Sequence, residues 1–210
     1  MQTLIESVDQ KKVHWTNEHL NVVLNSCRKN ERAAQKELYC NYYGFAMSIT
    51  LQYLSSYDAA VDRVNDSFLK VFKALNNFDP AYDRSSIIFI AWFKKILINT
   101  CIDHIRSNKK EWIADVEIEE VSIFHQGETA EDWLQHKDVV KCIQQLSPAY
   151  KAAINLYLIE GYSHAEIAGR FHITEGASKS NLFKAKRRLK ILLKSCNEIN
   201  HERICSTAVM

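Results

Sequence analysis

The chain has 210 residues, is 47% hydrophobic and 25% charged, and carries a formal net charge of +2. This length suits one domain or two small ones, and a count of 5 Gly and 2 Pro argues against a turn-rich all-β fold and for helices. No secretory leader and no apolar run of membrane-spanning length is read, which points to a cytoplasmic protein with free thiols.

Residues 1–16 are polar and show no period. From Asn17 apolar residues recur at helical spacing, at Leu20, Val23, Leu24 and Cys27, until "RKNER" interrupts them. A longer helix follows, carried by Ala33, Leu38, Tyr42, Phe45, Ile49 and Leu51, and closes near Ser55. A third helix runs from about Asp58 to Asn76, with Val61, Val64, Phe68, Val71, Phe72 and Leu75 on one side. "NNFDPAYDRSS" then gathers Asn, Asp, Pro and Ser, as a loop does. A fourth helix, rich in Ile, Leu, Phe and Trp, spans about Ser86 to Lys109.

Residues 111–132 are acidic and weakly periodic, and read as a linker. Helices resume from Trp133 with "KDVVKCIQQL", then "SPAYKAAINLYLIEG", where Ser147 stands at the cap and Pro148 at the first helical position. The fold expected is therefore all-α: a polar segment 1–16, a helical domain 17–110, the acidic linker 111–132, a smaller helical domain 133–195 and a tail 196–210 without a readable pattern. The six cysteines are scattered without a C-x-x-C pair; Cys27, Cys40, Cys101 and Cys142 lie in apolar helical patterns as small hydrophobes. His201 and Cys205 lack a complete ligand set, so no metal or other cofactor is expected.

The near-neutral total hides a basic end. From Lys179 to Lys194 there are seven basic residues and no acid, Lys179, Lys184, Lys186, Arg187, Arg188, Lys190 and Lys194. Just before them, Ser163 and Glu166 fit a capping box, with Gly161 closing the preceding helix. Ile167, Ala168 and Phe171 form the buried side of a short helix, Ile173 fills the turn, and Thr174 caps the next helix. In that helix Leu182, Ala185, Leu189 and Leu192 form one apolar stripe, and small residues at Gly176 and Ala177 would permit close approach at its start. Ser180, Phe183, Lys184 and Arg187 face the other way, with Lys179 at their edge. This is the pattern of a helix-turn-helix that reads DNA, with base contacts from the first turns and phosphate contacts further along. A merely solvated charge run is the bland alternative, and the missing acids weigh against it.

With the helices before it, "LSPAYKAAINLYLIEGYSHAEIAGRFHITEGASKSNLFKAKRRLKILL" resembles the C-terminal domain of bacterial RNA polymerase sigma factors, those of the extracytoplasmic-function group above all. "ELYCNYYGFAMSITLQYL", "VDRVNDSFLKVFKALNNFD" and "FIAWFKKILINTCIDHIRSNKK" resemble successive pieces of the N-terminal domain of the same family, in order. The resemblance implies that Lys179, Ser180, Phe183 and Lys184 read the minus-thirty-five promoter element, with Arg187 on the DNA backbone. It implies that Asp62, Asn65, Asp66 and Lys70 dock on core RNA polymerase, through its β′ subunit. Phe78, Tyr82 and Arg84 in the loop, and Lys94, Lys95, Asn99 and Arg106 on the fourth helix, would hold melted minus-ten DNA. Aromatic and basic residues side by side suit that single strand. Trp92, by contrast, reads as mostly structural. Arg63 stands at a usually apolar position, and Asn65 and Asp66 stand where Gln and Glu are commoner.

The partners implied are the β′ and β subunits of core polymerase, promoter DNA in double- and single-stranded form, and, in some members, an anti-sigma protein. No Gly-rich phosphate loop, H-E-x-x-H or nucleophile elbow is present, so no enzyme is expected. The other reading is a helix-turn-helix activator that binds DNA without core polymerase.

Overall fold

The structure, a computed structural model, describes residues 15–78, 85–107 and 142–207, with side chains as far as Ser195. The expected linker, 111–132, and the start of the following helix lie outside the described residues. All regular structure among the described residues is helical. The chain divides into two compact units, Met1–His104 and Ile105–Met210.

In the first unit, α1 (Asn17–Arg28) starts where the Thr16 hydroxyl accepts from the His19 N–H at 3.2 Å. It ends at a turn that places Asn30 at φ 60°, a left-handed position that Asn tolerates. α2 (Arg32–Tyr53) and α3 (Tyr57–Ala74) follow, and Ser56 caps α3 by accepting from the Ala59 N–H. A 3₁₀ turn, Leu75–Asn77, tightens the end of α3. α4 is Ser85–Ser107.

Rings pack the interior. Tyr42 meets Phe89 at 5.1 Å between centroids, Phe68 meets Phe93 at 4.9 Å, and Tyr39 meets Phe68 at 4.7 Å. Phe89 and Phe93 are fully buried, each contributing roughly 1.5–3 kcal/mol of transfer free energy. The same burial pushes the Tyr42 hydroxyl up to about 12, the Cys27 thiol up to about 11 and the Cys101 thiol up to about 12. Two details depart from the periodic reading. Ala34 rather than Ala33 faces inward, and Cys40 is exposed, not a core hydrophobe.

α4 corrects a third expectation. By length and composition it is long and apolar enough to cross a membrane, although no such run is expected from the sequence. Phe89, Phe93, Leu97, Ile98 and Cys101 are each 2% exposed or less, so its apolar length is used in the core of the first unit.

In the second unit, α5 (Pro148–Ile154) widens into a π turn, Asn155–Ile159, where the sequence read one continuous helix. Pro148 sits in the first turn as expected, but the Ser147 side chain makes no capping hydrogen bond. Gly161 at φ 75° takes the left-handed turn into α6 (His164–Phe171). α7 (Glu175–Thr207) continues past residue 195, beyond the end of its readable pattern. Leu146, Ala153, Ile154, Leu182 and Ala185 form the core, with Leu189 and Leu192 packed against it. Lys151 on α5 is buried as well. Its Nζ donates to the Gln144 amide oxygen at 3.0 Å, and burial pushes its ammonium down from 10.5 to about 8.

Candidate functional site

The second unit builds a helix-turn-helix from local hydrogen bonds. The Ser163 hydroxyl accepts from the Glu166 N–H at 3.2 Å, and the Glu166 carboxylate accepts from the Ser163 N–H at 2.8 Å, a complete capping box. The Ser163 N–H, and then the Ser163 hydroxyl, which also donates to that carboxylate at 2.8 Å, hold the Glu166 carboxyl below its usual range. His172 ends α6 in the left-handed region, φ 55°, and the Ile173 N–H returns to the Ala168 carbonyl at 3.0 Å. The Thr174 hydroxyl then caps α7, accepting from the Ala177 N–H at 3.1 Å. Ser178 is buried and hydrogen-bonded to His164 at 3.0 Å, which locks α7 onto α6. Gly176 is not needed for close approach, since a Cβ there would meet only the Thr174 hydroxyl at 3.8 Å.

Ile167, Ala168, Phe171, Leu182 and Ala185 are buried as the pattern required. Lys179, Ser180, Phe183, Lys184 and Arg187 are all exposed, on the face of α7 opposite that core. Phe183 is 69% exposed, an aromatic ring standing in water amid cations. Glu175 approaches Lys179 at 3.9 Å, an exposed pair of little energy. The face is thus a cationic ridge with one apolar contact point.

In the first unit, α3 turns Asp62 and Asn65 outward, and Asn65 accepts a hydrogen bond from the Tyr39 hydroxyl at 2.9 Å. Asp66 pairs with Arg63 at 3.2 Å, and Arg63 also reaches His104 at 3.4 Å. That pairing is how a half-buried arginine replaces an apolar residue there. Lys70 donates to the Thr100 hydroxyl at 3.0 Å and lies 3.7 Å from Asp103, tying α3 to α4. Between these polar groups stands Leu69, 57% exposed, which the sequence reading passed over. Its signal was available: it is an apolar residue one step out of register with buried Phe68.

On α4, Lys95 is exposed and Asn99 and Arg106 are half-buried; their spacing places them on one stripe of the helix. Lys94 is half-buried beside it. Trp92 stacks on Phe78 at 4.4 Å, in keeping with a structural role. Phe78 is itself buried and edge-on to Phe89, so its ring serves the fold rather than facing outward. Tyr82 and Arg84 lie outside the described residues. No group of three or more potential metal ligands occurs among the described residues.

Comparison with known proteins gives this geometry a class. The family described as Sigma-70 region 2 matches residues 38–111, and Sigma-70, region 4 matches residues 136–189. In that order, and over more than half of the chain together, these are the two regions of a sigma-70 protein. The chain is 24% identical over 176 residues to the ECF RNA polymerase sigma-E factor of Escherichia coli strain K12, covering 79% of this chain and 89% of that protein. It is 24% identical over 183 residues to the RNA polymerase sigma-H factor of Pseudomonas aeruginosa, covering 81% and 92%. Among solved structures it is similar to the sigma factor RpoE in complex with the anti-sigma factor NepR from Bartonella quintana, at TM-score 0.42 and 24% identity, covering 84% of this chain and 95% of that one. This chain belongs to the extracytoplasmic-function group of RNA polymerase sigma factors. It acts in transcription initiation, in a family of non-catalytic factors.

Proposed function

We propose that this protein is a dissociable specificity subunit that docks on core RNA polymerase, recognises promoter DNA and promotes its opening. It would work in the cytoplasm, where the polymerase is. The observation that carries this reading is the exposed cationic ridge of α7, led by Phe183, in a chain that also matches region 2 of the same family.

Each face has a role. Lys179, Ser180, Phe183 and Lys184 on the first turns of α7 read base edges in the major groove, and Arg187 holds a phosphate. The Phe183 ring suits the methyl group of a thymine. On α3, Asp62, Asn65, Asp66 and Lys70 surround the apolar point of Leu69, the pattern of a small docking site on the polymerase β′ subunit. On α4, Lys95, Asn99 and Arg106 follow the phosphates and a base of the melted minus-ten strand, with Lys94 at their side. Tyr82 and Arg84 belong to the same strand-holding group by their place in the chain, and Phe78 serves it by positioning the backbone that leads to them. The acidic 111–132 segment is the spacer between the two DNA-binding domains. The protein alone binds promoter DNA weakly, because its two sites gain effective concentration only when the polymerase fixes their spacing. An anti-sigma protein covering these faces is the expected negative control.

The test is promoter transcription with purified bacterial core polymerase, with and without this protein, and with Lys95→Ala and Asn99→Ala alongside. Initiation at defined starts only when the protein is added, with opening impaired in both variants, supports the proposal. Tight DNA binding by the protein alone, with no effect on core, would instead establish an activator.

A further inference from the structure

α1 does more than cover the core. Its apolar face, Leu20, Val23, Leu24 and Cys27, is buried, and polar residues at its two ends bond the turn after α3 and the first turn of α4. At its C-terminal end, Arg28 donates from Nε to the Leu75 carbonyl at 3.1 Å and from Nη2 to the Phe78 carbonyl, while Nη1 is held by the Asn25 amide oxygen. The guanidinium fork therefore closes on the 3₁₀ turn after α3, whose Leu75 carbonyl also accepts the Phe78 N–H at 3.1 Å. At the N-terminal end, the Asn17 amide oxygen accepts from the Ser86 N–H at 3.1 Å and from the Ser86 hydroxyl at 2.7 Å. The Asn17 carbonyl accepts from the buried Ser85 hydroxyl at 3.3 Å. The first turn of α4 is thus capped by a residue 69 positions away.

We infer that Asn17 and Arg28 are positioning residues for promoter opening: α1 is a brace of about 18 Å that fixes Phe78 and Ser85–Ser86, and through them the start of the strand-facing helix α4. This rests on the proposal that α4 takes the melted strand. The physical gain is preorganisation. A helix held at its first turn, with the turn after α3 held at Phe78, presents Lys95 and Asn99 without first paying the entropy of finding that arrangement. The apolar face of α1 alone would keep it on the core, whereas Asn17 and Arg28 tie it to the turn after α3 and to the first turn of α4.

The experiment uses the full chain with core polymerase and a duplex promoter. Arg28→Ala and Asn17→Ala are compared with the conservative Asn17→Asp, which keeps the accepting oxygen. Three quantities are read: affinity for core, rate of open-complex formation, and binding of the holoenzyme to a single-stranded oligonucleotide of the non-template minus-ten sequence. The two alanine variants should slow opening and weaken oligonucleotide binding about tenfold, on the scale of one lost hydrogen bond to a charged or doubly bonded partner. Core affinity should stay at the wild-type value, and Asn17→Asp should restore both DNA steps. Wild-type opening in both alanine variants, or a loss of core affinity in proportion to the loss of opening, would overturn the brace. Lys95→Ala and Asn99→Ala run alongside to separate the two claims. If they impair strand binding while the brace variants do not, the brace alone is wrong; if they do not, the assignment of α4 falls and the brace falls with it.

Discussion

Lys151 offers the sharpest physical test of the second unit. Its side chain is fully buried on α5, and burial lowers its ammonium from 10.5 to about 8. At roughly 1.4 kcal/mol per tenfold change, keeping that charge in the core costs about 3 kcal/mol below pH 8. Because the folded value lies below the unfolded one, the folded unit holds fewer protons than the unfolded chain between about 8 and 10.5. Its stability therefore rises with pH across that window, and the full cost is present below it. Lys151→Met keeps an unbranched side chain and removes the charge. It forfeits the bond to Gln144, which is only half-buried and can turn to water, a loss of about 1 kcal/mol. The burial cost outweighs that loss, so the variant should be more stable by about 2 kcal/mol at pH 7, lose its advantage near pH 10, and be the less stable form above that.

Urea unfolding followed through methyl NMR signals of Ile154 and Leu182 reads this unit separately from the first. The first unit is an internal control of opposite sign. Cys27, Cys101 and Tyr42 are raised by burial, so their contribution is complete below pH 9 and is lost as pH climbs towards 11 and 12. Signals of Leu97 and Ile98 should accordingly weaken at lower urea as those of Ile154 strengthen. A second unit whose stability is flat or falling from pH 8 to 10.5, or a Lys151→Met variant that keeps the wild-type rise, would refute the reasoning.

Two further outcomes are expected. Leu69→Asp places a charge at the exposed apolar centre of α3, so affinity for core polymerase should drop at least about tenfold while the melting temperature stays at the wild-type value; unchanged affinity would remove Leu69 from the docking face. Ser163→Ala deletes the cap of α6 and should cost the second unit about 1 kcal/mol in urea unfolding, and equal stability would show that Glu166 or water caps that helix unaided.

How much of this was legible before the structure depends on the range of the contacts involved. The helix-turn-helix could be read almost residue by residue because its determinants are local: Ser163 and Glu166 lie three apart, Thr174 and Ala177 three apart, and the buried stripe of α7 repeats at helical spacing. The existence of α1 to α4 was legible for the same reason. What escaped was set by tertiary contact. An aromatic such as Phe78 reads equally well as a base-stacking ring or as core until Trp92 and Phe89 are seen on either side of it. A hydrophobic stretch such as α4 reads as ordinary or as membrane-spanning until its neighbours show which faces are covered. Lys151 carries the same chemical signature whether it is solvated or buried.

The polar contacts of α1 are the extreme case. Arg28 finds its carbonyls 47 and 50 residues away, and Asn17 its donors 68 and 69 away. Hydrogen bonds to backbone groups place no demand on the identity of Leu75 or Phe78, so they leave no trace in the pattern of side chains. Arg28 and Asn17 look like the polar ends of an amphipathic helix, and Arg28 also suits the C-terminal dipole. An exposed pattern of charge, as on α7, can thus be read forward from sequence. Where polar groups hold one part of the fold against another, as at both ends of α1, only the folded backbone reveals which atoms they hold, and the positioning of α4 depends on those atoms.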